Sequence, residues 1–216
     1  MSVHYELTKT HLFLNKISNY EPALIEKIYY YIHTYKFKDT KELKNAVSEF
    51  KINKTYALVK YGNPRYWDVS QITDMSYLLY NILDRFKYDI SLWDTSNVKN
   101  MNCMFSFNSG LIEYDISNWD VSNVTNMVSM FEGCYCFNFD ISQWDVSSVT
   151  TMERMFYGSD TFNHDISNWD VSSVTNFEWM FYDTTYFNQD ISKWNVGNAK
   201  SMKCMFLNAT SFNQQI

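Results

Sequence analysis

Glycine and proline, the usual residues of tight turns, are scarce in this sequence, with 5 Gly and 2 Pro among 216 residues. Their scarcity excludes a collagen-like or Gly/Pro-rich low-complexity chain, and a hydrophobic content of 46% excludes a disordered one. The length is sufficient for one or two domains with a buried core. Other residues must therefore form the turns. The sequence contains 22 Asn, whose side chains stabilise turns.

Long apolar runs and catalytic motifs are also missing. No stretch of about 18 apolar residues could cross a membrane, and no basic segment followed by an apolar run marks a signal peptide at the start. The four cysteines lack zinc-site spacing, which favours free thiols in a reducing compartment. The sequence has no Gly-rich phosphate loop and no histidine paired with a repeated Cys or Ser. We therefore expect that the protein is not an enzyme and has no cofactor and no metal site. We also expect it to be intracellular or in the virion and not to be secreted by a classical signal peptide.

Tryptophan recurs at a nearly constant spacing and marks an internal repeat of roughly 25 residues. Leu79 stands twelve residues after the first of these tryptophans, and a phenylalanine stands twelve residues after each of the others. A unit of this length cannot bury its own apolar face, so several units must stack. We expect the stacked units to place like residues on like residues in two core ladders. The tryptophan ladder consists of Trp67, Trp93, Trp119, Trp144, Trp169 and Trp194. The phenylalanine ladder consists of Phe105, Phe131, Phe156, Phe181 and Phe206.

Each unit contains two patterns. Trp-Asp-Val alternates between apolar and polar residues and predicts a short strand. Val149, Met152 and Phe156 have the spacing of one helix face and predict a short helix. The predicted fold is an α/β solenoid of about six coils over residues 62–216, with a short parallel sheet. Residues 1–61 lack the repeat and predict an α-helical N-terminal cap, with helices near 21–32, 39–47 and 54–61.

The repeat resembles the BspA-like leucine-rich repeats. The similarity is greatest to the 25-residue variant found in mycoplasma surface proteins, other bacterial surface proteins and large DNA viruses. Two segments carry the resemblance, Phe-Asn-Gln-Asp-Ile-Ser-Lys-Trp at residues 187–194 and Asp-Val-Ser-Ser-Val-Thr-Asn at residues 170–176. The resemblance covers residues 62–216 and implies a leucine-rich-repeat-like fold with a binding or structural role. Bacterial members are generally exported, and without an export signal this chain is more similar to the viral branch.

The residue between Trp and Val should point outward in every coil, and it is acidic in all but the last. Stacked carboxylates of this kind suit a basic protein surface or a cation. The favoured interpretation is structural: each carboxylate accepts hydrogen bonds that stabilise its own coil. Calcium is disfavoured because calcium-binding repeats have Gly-rich turns. We name these residues the outer Asp series: Asp68, Asp94, Asp120, Asp145, Asp170 and Asn195.

A second acidic series falls in the turn that leads to the next unit. Turn formation by Asp and Asn side chains explains these positions without any ligand. We name them the return-turn series: Asp89, Asp115, Asp140, Asp165 and Asp190, with Gln215 in the corresponding last position.

The charge and the C-terminal end suggest partners. Residues 1–66 carry 11 Lys+Arg and 6 Asp+Glu, a net +5, whereas residues 67–216 carry 7 and 18, a net −11. An acidic repeat region disfavours nucleic acid and favours a basic protein partner or polar assembly. We expect an exposed C-terminal edge, at Phe206, Phe212 and Ile216, to contact another protein or a second copy.

These observations predict a non-enzymatic structural or protein-interaction repeat protein. The first hypothesis is a minor structural or assembly component of a large DNA virus. The alternatives are an intracellular host-interaction adaptor and a surface adhesin of the bacterial branch.

Overall fold

The computed structural model describes residues 34–82, 86–108, 115–137 and 139–215. Two α-helices, α1 (Thr40–Ile52) and α2 (Lys54–Tyr61), and a 3-10 helix at Pro64–Tyr66 precede the repeats. The helix predicted near residues 21–32 lies outside the described residues. Helix α1 begins where the Asp39 side chain accepts a hydrogen bond from the Glu42 backbone N–H at 2.8 Å. The buried face of α1 consists of Leu43, Ala46, Val47 and Phe50.

The predicted α/β solenoid with a parallel sheet is wrong. The described residues contain no strand, and from residue 67 onward they contain no helix. Among the described residues, β-type pairing between repeats is limited to isolated parallel bridges of one residue pair each. The bridges lie outside Trp-Asp-Val and connect Asp74 with Asn100, Asn100 with Asn126, Asn126 with Thr151, Thr151 with Asn176, and Asn176 with Ser201.

The predicted strand fails because its backbone groups are used in local turns. The N–H of Trp144 donates to the carbonyl of Ile141 at 3.1 Å, and the N–H of Val149 donates to that of Val146 at 2.9 Å. Both bonds span three residues, so this part of the unit is a pair of consecutive turns. A sheet ladder would need the N–H of Trp144 and the carbonyl of Val146 to pair with a neighbouring unit.

The predicted helix fails because alternate N–H groups leave the unit. The N–H groups of Met101, Cys103, Phe105 and Phe107 donate to carbonyls of the next repeat at 2.6–3.0 Å. In an α-helix these groups would donate to the carbonyl four residues earlier. The same four bonds recur between each pair of neighbouring repeats from Met75 to Leu207. Successive repeats are therefore connected side by side by regularly spaced backbone hydrogen bonds.

Left-handed residues make this alternation possible, since a positive φ redirects the next peptide group. Two positions of each described repeat have φ between 49° and 66°. One of them is Gly in two repeats, and a Cβ on Gly133 would lie 2.8 Å from the Phe107 ring. The first position is occupied by Tyr77, Cys103, Ser129, Arg154, Trp179 and Cys204, and the second by Asn81, Phe107, Gly133, Gly158, Asp183 and Asn208.

Aromatic rings form the centre of the core. Within the phenylalanine ladder, neighbouring rings are stacked with centroids 5.4–5.7 Å apart. A second stack, from Phe137 through Phe162 and Phe187 to Phe212, contacts the first at 3.8–4.2 Å. All six tryptophans of the ladder are buried. The indole N–H of Trp144 donates to the carbonyl of Ile116 in the preceding repeat, and the next two tryptophans repeat this bond.

The N-terminal helices share this core. Trp67 contacts Phe37 and Phe50 at centroid distances of 4.8 and 5.5 Å, and it stacks on Trp93 at 6.0 Å. The Thr40 hydroxyl donates to the carbonyl of Asp74. Helix α1 therefore packs directly against the first repeat.

Candidate interaction surface

The outer Asp series lies on the surface in turns rather than on a strand. Asp94, Asp120, Asp145, Asp170 and Asn195 are exposed, while Asp68 is half-buried. In each unit one side-chain oxygen accepts a hydrogen bond from the backbone N–H two residues further on, at 3.0–3.2 Å. In four units the same oxygen also accepts from a serine hydroxyl at 2.6 Å. These bonds hold the carboxylates in fixed positions, one to a repeat.

In Asp170 the hydrogen bonds also favour the ionised form. The Ser172 hydroxyl and backbone N–H lower the pKa of Asp170 below its ordinary value. The second oxygen of each carboxylate does not take part in the turn. Charge repeated at this spacing therefore remains available to a partner, although half of each carboxylate has a structural role.

Asn195 shows that the turn needs only the accepting oxygen. Its side-chain oxygen accepts from the N–H of Gly197 at 3.2 Å, in the same geometry as the aspartates. Replacing Asp145 by Asn should leave the free energy of unfolding nearly unchanged, whereas Asp145→Ala should lower it by about 1 kcal/mol because the turn loses its acceptor. Denaturant titration of the two variants measures this difference. Equal losses would show that the charge, and not the turn, is what stabilises the fold.

The return-turn series forms the same kind of turn. Asp89, Asp115, Asp140, Asp165 and Asp190 each accept from the backbone N–H of the serine two residues further on, at 2.8–2.9 Å. Hydrogen bonds from those serines lower the pKa values of Asp140, Asp165 and Asp190. The two series therefore share a turn geometry and differ in their place on the repeat.

These lowered pKa values predict acid sensitivity. The ordinary pKa of Asp is about 3.9. A carboxylate with a lower pKa in the folded state stabilises the fold above that value, and its contribution is lost as the pH falls through the folded pKa. We expect the thermal midpoint to fall as the pH is lowered from 5 to below 3. A variant with Asp140, Asp165, Asp170 and Asp190 changed to Asn should fall less steeply, and an equal fall would contradict the prediction.

The chain itself pairs one lysine with the outer Asp series. The segment around Lys36 runs parallel to Asp68, with N–H groups donating in both directions at 3.0–3.1 Å. The Lys36 ammonium lies 3.4 Å from the second carboxylate oxygen of Asp68, the oxygen that the turn does not use. This contact is an example of a basic side chain from a neighbouring segment binding to a carboxylate of the series.

The predicted C-terminal edge is only partly described. Phe206 and Phe212 are half-buried, stacked on the buried rings of Phe181 and Phe187. Ile216 lies outside the described residues.

No group of three or more His, Cys, Asp or Glu in the described ranges could hold a metal ion. Burial raises the pKa of the Cys134 thiol to about 12, which makes it a poor nucleophile. Among residues with a described structure, no helix is both long and apolar enough to cross a membrane.

One surface cluster was missed by the sequence patterns. The Trp179 ring lies between the Arg154 guanidinium at 5.7 Å and the Lys203 ammonium at 5.3 Å, and Tyr157 stacks on Tyr182 at 4.6 Å. Trp179 is the single tryptophan outside the repeat spacing, and this spacing was the signal that it does not belong to the core ladder.

Comparison with known families gives a match over most of the chain. The family described as Mycoplasma protein of unknown function, DUF285, matches residues 41–157 and 134–216. The chain belongs to this family. Membership in DUF285 confirms the resemblance to a Mycoplasma-type, BspA-like repeat family. Neither the curated proteins nor the solved structures include a match to this chain.

Proposed function

We propose that this DUF285 chain is a non-enzymatic repeat protein that binds a basic protein surface through the outer Asp series. The contact between Lys36 and Asp68 carries the proposal. It pairs a lysine with the one carboxylate oxygen that the turn leaves unused. Asp94, Asp120, Asp145 and Asp170 present the corresponding oxygen on the exposed surface of their own repeats.

Regular spacing supports a macromolecular partner. One carboxylate recurs at the same position of every repeat but the last, and backbone hydrogen bonds connect the repeats that carry them. Each exposed ion pair contributes only about 0.2–1 kcal/mol, so a partner must engage several repeats at once. Complementary charge over such a surface increases the association rate as well as the specificity. The net −11 of residues 67–216 repels nucleic-acid phosphates.

The biological setting is a separate part of the proposal. The resemblance of the repeat supports a minor structural or assembly component of a large DNA virus. The Mycoplasma-type family supports a surface adhesin of the bacterial branch, and an intracellular adaptor is the third candidate. Mass spectrometry of purified virus particles separates these settings. Abundance in particles supports the first, and recovery from a bacterial surface contradicts it.

Binding to a lysine-rich peptide of about ten residues tests the interaction. The outer variant carries Asp94→Asn, Asp120→Asn, Asp145→Asn and Asp170→Asn, which keeps the turns, as Asn195 shows. Four lost ion pairs should weaken the affinity of the peptide at least about tenfold. Calorimetric titration at low salt measures this loss.

The matched control carries Asp115→Asn, Asp140→Asn, Asp165→Asn and Asp190→Asn in the return-turn series. It changes the net charge by the same amount and also keeps its turns. We expect less than about a threefold change in peptide affinity, since only long-range charge is altered. Equal weakening in both variants would mean that the peptide affinity depends only on the total charge of the chain. That result would refute a binding site on the outer Asp series.

A further inference from the structure

We propose that one occupant of the outer Asp series is a second copy of this chain, bound through an exposed face at the junction of α1 and α2. This inference rests on the proposed function and names its partner. The two contacting surfaces are different, so the contact is heterologous. Each copy would bind one neighbour through the first surface and another neighbour through the second. We name the first of them the basic–apolar face: Lys51, Ile52, Tyr56, Val59 and Lys60.

The basic–apolar face combines exposed apolar side chains with lysines. Ile52 is 85% exposed and Tyr56 52% exposed, values unusual for large hydrophobic residues that have no partner. Tyr56, Val59 and Lys60 are three and four residues apart and share one side of α2. Ala57 and Tyr61 point the other way and are buried against the core. The exposed side is thus distinct from the side that stabilises the fold.

Charge complementarity favours a second copy as the occupant. Residues 34–66 carry 8 Lys+Arg and 3 Asp+Glu, a net +5, beside repeats with a net −11. Lys60 forms an ion pair with Glu49 at 2.9 Å, and both side chains are partly exposed. An exposed pair of this kind is weak and can be exchanged for pairing with the outer carboxylates.

The acidic side also offers an apolar group. Leu92 is 56% exposed and stands two residues before Asp94. The corresponding residues of later repeats are polar or charged: Asn118, Gln143, Asn168 and Lys193. An apolar side chain beside the first exposed carboxylates matches Ile52, Tyr56 and Val59 better than a purely basic partner would. We therefore place the contact at Leu92, Asp94 and Asp120.

The mode of contact already occurs within the chain. Lys36 reaches Asp68 from a segment that also packs apolar groups, because its neighbour Phe37 is fully buried and lies 4.8 Å from the Trp67 ring. The two surfaces would form the same combination between copies, a lysine–carboxylate ion pair beside packed apolar side chains.

Mixing two variants of the full chain tests the contact. One variant carries Lys51→Gln and Lys60→Gln, and the other carries Asp94→Asn and Asp120→Asn. We expect the unaltered chain to form oligomers at low salt that dissociate at about 0.5 M salt, because exposed charges are screened. Each variant alone should be monomeric. An equimolar mixture should form a dimer and nothing larger, since only one complementary pair of surfaces remains. Sedimentation velocity measures all four samples.

Two results would overturn the inference. A monomeric unaltered chain at low salt, or a mixture that stays monomeric, excludes this contact. A second variant, Tyr56→Ser with Val59→Ser, should also be monomeric, because the contact loses its apolar part while both lysines remain. Oligomers that persist in this variant at unaltered strength would exclude the basic–apolar face. A monomeric chain that still binds the lysine-rich peptide refutes self-association and leaves the proposed function intact.

Discussion

Replacing Trp144 with alanine is expected to lower the free energy of unfolding by about 3–5 kcal/mol. The ring is 4% exposed, and its indole N–H donates to the carbonyl of Ile116 at 3.2 Å. The substitution leaves a large cavity and removes the indole hydrogen bond between two repeats, while the Ile116 carbonyl keeps its bond from the N–H of Trp119. Because domains are typically stable by about 5–15 kcal/mol, much of the stability would be lost. Denaturant titration followed by circular dichroism measures the change.

Trp179 provides the matched control. It is also a tryptophan, but it is half-buried at the surface between Arg154 and Lys203. Its replacement by alanine removes cation–π contacts worth about 1 kcal/mol and opens no cavity in the core. Losses of similar size at Trp144 and Trp179 would contradict a core built on the tryptophan ladder.

Phe156→Ala is expected to have an effect of the same order, about 3–5 kcal/mol. Its ring stacks on Phe131 and Phe181 at 5.7 Å and on Phe162 at 3.8 Å, so it contacts two neighbouring repeats and the second aromatic stack. The ring is fully buried, and no neighbour can fill the space without giving up its own stacking. Thermal or denaturant unfolding measures the loss.

The adjacent Tyr157 is the control for Phe156. It lies in the same turn, is half-buried, and stacks on Tyr182 at the surface at 4.6 Å. Tyr157→Ala should lower the free energy of unfolding by about 1 kcal/mol. If both substitutions cost the same, the stability would derive from aromatic contacts in general and not from the buried phenylalanine ladder.

The spacing of tryptophan predicts which residues are neighbours. Asn100 and Asn126 occupy equivalent positions of successive repeats and pair in a backbone bridge, and Asn126 pairs in the same way with Thr151. Burial follows the same spacing, because the apolar positions of each unit have to cover those of the next. The repeat spacing therefore predicts which repeats pair and in which order the aromatic rings stack.

Local conformation could not be predicted in the same way. Val149, Met152 and Phe156 have helical spacing, yet Arg154 between them has a φ of 55° and breaks any helix. Residues at that position range from Ser to Trp, so no residue type marks it. Asn and Gly recur at the second left-handed position, such as Asn81 and Gly158, and they were the available signal.

The candidate surface was predictable in part. The sequence places an acidic residue directly after each repeat tryptophan except the last. The turn itself uses the backbone N–H two residues further on, which Gly197 donates to Asn195 just as Ser147 donates it to Asp145. The contact between Lys36 and Asp68 could not be found from the repeat, because Lys36 lies outside it.

Hydrogen–deuterium exchange with and without the lysine-rich peptide tests the binding surface most directly. Binding at the outer Asp series predicts slower exchange in residues 94–97, 120–123, 145–148 and 170–173. Exchange in residues 154–158 and 179–183, around Arg154 and Trp179, should be unchanged. If the peptide is bound but protection is confined to residues 154–158 and 179–183 or to the return-turn series, binding at the outer Asp series is contradicted.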